Sequence, residues 1–144
     1  MSAKKIVSWL PLSHHRRHQL DRCVWLPVGQ KKIALCARCL GLYPVLLAVL
    51  ALQIAAGLRP LGPLDWWIVL AGVAPALMDW ALGRLGSRGN NALRVTTGAI
   101  AGVALGRALY LYFRDTRSEV FLVQMMLIAF TVAAVEVVRV LRVR

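Results

Sequence analysis

Cys36 and Cys39, two cysteines separated by Ala37 and Arg38, are the residues of this sequence best suited to do chemistry. Two thiolates at this spacing can grip one tetrahedral metal ion. Cys23 supplies a third sulfur, and His14, His15 or His18 a fourth ligand, so a Cys3His zinc site is the natural reading. Arg38, between the two thiols, would favour their thiolate forms. Two other readings stand beside it. One is a thiol redox pair, and the other is three ordinary cysteines next to a basic histidine cluster that meets anionic lipid heads. His14 and His18, at i and i+4, would share a helix face, and the sequence does not choose the liganding histidine.

A second group is Asp79, Asn90, Asn91 and Arg94. Ionisable groups within a hydrophobic span are costly and usually face a bundle interior or a water-filled cavity. Pro75, one turn before Asp79, frees backbone groups there as well. The group reads as a polar pocket in which Arg94 takes an anionic headgroup or phosphate, or as an Asp79–Arg94 ion pair that locks two helices. Glu136 could join that pocket or only pair with Arg139 at i+3. Arg107 is expected to snorkel outward, within reach of Asp115 or Glu119. If the site is catalytic, Asp79, Arg94 and Glu136 are the candidates. The chain has no nucleotide-binding Gly-rich loop, serine-nucleophile motif or His-Glu-x-x-His motif.

The elements that must position these residues are membrane helices. Of the 144 residues, 59% are hydrophobic and 17% charged, and the mean hydropathy is +0.64. A soluble domain is typically about 45–50% apolar, so the bilayer is the expected solvent. The first span is the uncharged run Leu40 to Leu58, long enough at about 1.5 Å per residue to cross the hydrocarbon core. The second starts at the Trp66–Trp67 anchor and runs to about Leu82. The third covers about Ala92 to Phe113, and the fourth Val120 to about Val140. A basic arm, residues 1–39, precedes the transmembrane domain, residues 40–144. Its short apolar run, Ile6 to Leu12, is broken by Ser8 and Pro11 and does not read as a secretory signal.

The charge is +12, with 18 Lys+Arg against 6 Asp+Glu. It lies mainly between the apolar runs, as topology requires, so nucleic-acid binding is not needed to explain it. The arm, the loop after the second span and the C-terminus carry most of the excess, which sets both termini in the cytoplasm of a multi-pass inner-membrane protein. Cys36, Cys39, Asp79, Asn91, Arg94 and Glu136 then meet at the cytoplasmic face. The outer half reads as plain helix packing. The stripe Gly98-x3-Gly102-x3-Gly106 permits close helix approach, within the chain or between copies in a homo-oligomer.

The stretch Leu35-Cys36-Ala37-Arg38-Cys39-Leu40-Gly41-Leu42-Tyr43 resembles the signature of a bacterial membrane-protein family of unknown function, DUF2085. The series Pro75…Asp79, then Asn91-x-x-Arg94-x-x-Thr97-Gly98, resembles it too. The similarity spans roughly residues 14–106. Many relatives carry a Cys-His pair upstream, where this chain has His14-His15, with Cys23 further on; the ligand set departs from the pattern there. The resemblance implies that Cys36, Cys39, Asp79, Asn91 and Arg94 act as one set, and brings no reaction with it.

The expected architecture is all-α: an integral membrane bundle of four transmembrane helices with a metal-stapled cytoplasmic arm. The expected role is binding of an anionic lipid headgroup or a protein partner beside a zinc site. A zinc-dependent enzyme acting on a lipid phosphate, a small transporter and a thiol oxidoreductase are the alternatives. The transporter is weakened by the lack of polar groups deep in the spans, where Gln53 and Gln124 are the uncharged amides.

Overall fold

The computed structural model describes residues 22–28, 31–86 and 89–143. His14, His15 and His18 lie outside them, and with them any metal ligand drawn from that cluster. The described chain is mostly helical. Strands β1 (Cys23–Val28) and β2 (Lys31–Cys36) lead into α1 (Ala37–Ala56), α2 (Pro63–Arg84), α3 (Asn91–Arg114) and α4 (Glu119–Val143). All four helices are long and apolar enough to span a bilayer. Each expected span is present and starts within three residues of its expected position.

Helix α3 is the hub. It is the one span whose apolar window is mostly buried within the chain, and α1, α2 and α4 surround it. Its contact with α1 is by far the largest in the bundle. Lipid tails give helices no hydrophobic reason to associate, so close packing of small residues must supply the attraction. Gly98, Gly102 and Gly106 face the carbonyls of Arg38, Leu42 and Leu46. The two sets advance by four residues together, so the helices run parallel in register. A Cβ on Gly102 would stand 2.6 Å from the Leu42 oxygen, and one on Gly106 3.0 Å from that of Leu46. Gly41 returns the contact from α1, against the backbone of Val95. The stripe is thus covered by α1, which corrects the expectation of a homo-oligomer built through it.

Helix α2 is not uniform. It is α-helical over Pro63–Trp66, makes a π-turn over Trp67–Ala71, and is α-helical again over Gly72–Arg84. Pro75 explains the position of the turn. Its ring crowds the carbonyl four residues back, that of Ala71, and it has no N–H to offer there. The π-turn ends on that residue. Gly72, just after it, packs against Ala104 of α3.

Gln124 of α4 is fully buried and donates to the Val69 carbonyl in the π-turn at 3.2 Å. Its Oε1 has no hydrogen-bond partner. Gln124→Leu removes one hydrogen bond and one orphaned acceptor together, so the two effects offset. Thermal unfolding in detergent should show the variant within about 1 kcal/mol of the native chain; a larger loss would mean that the amide carries the α2–α4 contact.

The strands depart from the all-α expectation. The basic arm does not run straight into the first helix. It folds back as an antiparallel hairpin with Cys23 opposite Cys36, Val24 opposite Leu35, and so on to Val28 opposite Lys31. Val24, Trp25, Val28 and Ile33 favour extended backbone, and Pro27 sits without cost on an edge strand. These runs are short, and hydropathy alone does not separate them from an interfacial segment.

Candidate functional site

The site is assembled from the hairpin inward. Antiparallel pairing sets the side chains of Cys23 and Cys36 opposite each other on one face, a cross-strand separation of about 4.5–5.5 Å between Cβ atoms. Each residue is 4% exposed. Helix α1 begins immediately after Cys36, which is its N-cap residue, so Cys39 falls in the first turn. The thiols of Cys36 and Cys23 are both near enough to that of Cys39 to act on it electrostatically. The strand register therefore brings Cys23 to the Cys36–Cys39 pair. Among the described residues, no group of three or more His, Cys, Asp or Glu side chains is arranged to hold a metal ion.

Arg38, between the two thiols of the pair, reaches across to α2 and forms an ion pair with Asp79. This corrects the expected Asp79–Arg94 pairing. Arg38 stands where α1 meets α3, its carbonyl against Gly98, and its long side chain spans to the carboxylate on the last turns of α2. Asp79 is spent in that pair. The Arg38 Nε atom is buried without a hydrogen-bond partner.

Arg94 is only 6% exposed, as its place on the glycine face of α3 requires. Its Nη1 donates to Asn91 Oδ1 at 3.1 Å, and Asn91 Nδ2 donates to the Cys23 carbonyl at 3.3 Å. A chain of contacts thus runs from the hairpin through Asn91 to Arg94. Gly89 closes over the guanidinium, where an added Cβ would meet Nη2 at 3.0 Å and Cζ at 3.3 Å. Asn90 caps α3, its side chain accepting from the Ala92 N–H at 2.9 Å. Its role is that of a helix start rather than a pocket wall.

Glu136 stays outside this cluster. It accepts from Arg84 Nε at 2.6 Å and from Arg139 at 3.2 Å, and ties the ends of α2 and α4 together at the surface. Arg22 donates to the Gly83 carbonyl at 3.3 Å and fastens the start of the hairpin to α2.

The opposite end of the bundle holds what the sequence reading missed. Arg107 does not snorkel toward Asp115 or Glu119. It is 4% exposed and turns inward, with Nε donating to Asp65 Oδ1 at 2.7 Å, Nη1 to Gln53 Oε1 at 2.8 Å and Nη2 to the Arg59 carbonyl at 2.9 Å. Asp65 Oδ2 accepts from the Leu61 N–H at 2.7 Å. Gln53 donates on to the Val49 carbonyl at 3.1 Å, and Tyr110 to that of Leu58 at 2.7 Å. The half expected to be plain helix packing is therefore held by a polar network as well. Arg107 follows Gly106 on the buried face of α3, and a guanidinium there must find its partners inside. The available signal was depth: Gln53, Asp65 and Arg107 all lie near the same ends of their spans.

Searches of curated proteins and of solved structures each gave no match. The family model described as "Predicted membrane protein (DUF2085)" matches residues 17–108. The matched stretch takes in the hairpin, α1, α2 and most of α3, and leaves α4 outside it. It covers well over half the chain and carries the cysteines, Asp79, Asn91 and Arg94 with it, and the chain belongs to this family of predicted membrane proteins.

Proposed function

We propose that this protein is a membrane-embedded binding protein whose cysteine end is held by zinc and receives an anionic headgroup or a protein partner. Cys23, Cys36 and Cys39 supply three thiolates, and one of His14, His15 and His18 the fourth ligand. The observation that carries the reading is the hairpin register, which sets Cys23 opposite Cys36 with Cys39 in the next turn. Four protein ligands leave no open position on zinc, which favours a structural staple over catalysis. The enzyme reading needs a carboxylate base, and both candidates are committed, Asp79 to Arg38 and Glu136 to Arg84 and Arg139. The excess of Lys and Arg beside the cysteines supports a cytoplasmic position for this end.

Elemental analysis of the full chain, purified in detergent without chelator, tests the staple. About one equivalent of zinc per chain is expected. Cys36→Ser should lose it, and so should the triple replacement of His14, His15 and His18 by Ala. A native chain holding less than about half an equivalent, with its three thiols open to a thiol reagent, would remove zinc from the account.

A further inference from the structure

Every other strongly buried ionisable side chain among the described residues has its charge balanced within the chain. Asp65 is paired with Arg107 and Asp79 with Arg38. Arg94 is the exception. At 6% exposure it makes one side-chain hydrogen bond among the described residues, to a neutral amide, and has no carboxylate partner among them. A buried cation without a counter-charge is strongly destabilising, and none of the described residues supplies one, so the position favours an anion from outside them.

The surroundings are consistent with that. Arg94 lies in the first turns of α3, whose backbone N–H groups carry the positive end of a 24-residue helix. No acidic residue stands in that first turn. Gly89 keeps the space over the guanidinium free of a side chain. The Nε of Arg38, whose backbone touches the same helix at Gly98, is a second buried donor with no partner.

We infer that Arg94, under Gly89 and at the start of α3, is the seat of a singly charged phosphodiester. Among the described residues the Arg94 guanidinium is a single positive charge without an ion-pair partner, whereas Arg38 is paired with Asp79. A guanidinium fork matches two oxygens of a phosphate. The seat lies at the end of a membrane span, the level at which phospholipid phosphates sit. Asn91 orients the guanidinium and, through the Cys23 carbonyl, joins the seat to the cysteine hairpin. The inference deepens the proposed anion-binding role of this end and rests on it.

The full chain in detergent is titrated with phosphatidylglycerol, with phosphatidylcholine and with water-soluble glycerophosphoglycerol. Thermal stability and lipid retention in native mass spectrometry are the readouts, with zinc content measured on the same samples. Phosphatidylglycerol should be retained at least about tenfold more strongly than phosphatidylcholine. Arg94→Gln should lose that preference, and Gly89→Ala, whose methyl fills the space over the guanidinium, should weaken it in a chain that still folds. Binding of the soluble diester as well would make a free phosphodiester the source; binding of the lipid alone would make the membrane the source. Equal retention by the native chain and by both variants, or no preference in the native chain, overturns the inference. Zinc lost with the lipid preference intact would remove the staple alone, and the reverse would remove the seat alone.

Discussion

Exchange of Arg107 for leucine is expected to lower the stability of the detergent-solubilised protein by about 3–5 kcal/mol. The change strips four groups at once. Asp65 is left as a carboxylate at 2% exposure with no counter-charge, and Gln53 Oε1 and the Arg59 carbonyl lose their donors. Tyr110 loses the cation 5.7 Å from its ring. The cost comes less from the lost attraction than from the partners stranded in a low-dielectric interior. Asp65→Leu alone should cost about as much, since it strands the guanidinium instead. The double replacement should recover a large part of the loss, because neither charge then remains. Chemical or thermal unfolding of the four chains gives the coupling directly. Additive losses would show that the pair is solvated and that its burial has been misread.

The polar lock at that end also bears on function. Arg107 joins α3, the C-terminal end of α1 through Gln53, the connection at Arg59 and the start of α2 through Asp65. Arg38–Asp79 joins α1 to α2 at the cysteine end. Helices α1 and α2 are thus pinned at both ends, and α3 at the Arg107 end. A site at one mouth of a bundle needs walls that hold their spacing, and the two locks provide them. Helix α4 is held more lightly: its window is the least buried of the four spans, and its charged tie, Glu136 with Arg84, is at the surface.

Much of this architecture was legible in the sequence, because hydropathy reports each span separately and needs no partner. The four spans, the glycine stripe and the inward-facing Arg94 all follow from local spacing. Pairings between elements were not legible. Asp79 had two arginines within plausible reach, and the register of α1 on α3, visible only in three dimensions, gives it to Arg38. Arg107 was misplaced for a related reason. Snorkelling is the default for a long cation near a span end, and it is overridden here by the carboxylate of Asp65 in the first turn of α2, one residue before the expected start of that span. The hairpin was hidden by its length. Six-residue strands of largely apolar residues resemble the edge of a membrane helix, and only their pairing brings Cys23 to Cys36.

Gly102→Leu should be a strongly damaging replacement that leaves every charge in place, in a seam where Gly41 and Gly98 are packed closer still. Its Cβ would stand 2.6 Å from the Leu42 carbonyl, 3.1 Å from the Leu46 nitrogen and 3.1 Å from Val45 Cβ. Two of those three are backbone atoms of α1, so no rotamer change relieves the clash. Helix α1 must move away as a body, and the contacts of Gly98 and Gly106 on the same stripe loosen with it. Overpacking typically costs about 1–3 kcal/mol, and the loss here should reach or pass the upper end, because in lipid no hydrophobic drive between helices makes up for lost packing. Gly83→Ala is the matched control. Nothing lies within 4 Å of its added Cβ, so that variant should be neutral or gain up to about 1 kcal/mol from helix propensity. The comparison reaches the site as well. Displacing α1 carries Cys39 away from Cys23 and Arg38 away from Asp79, so Gly102→Leu should lose both zinc and lipid preference while Gly83→Ala keeps them. If the two glycine variants unfold at the same temperature, the α1–α3 seam is not what positions the cysteine end.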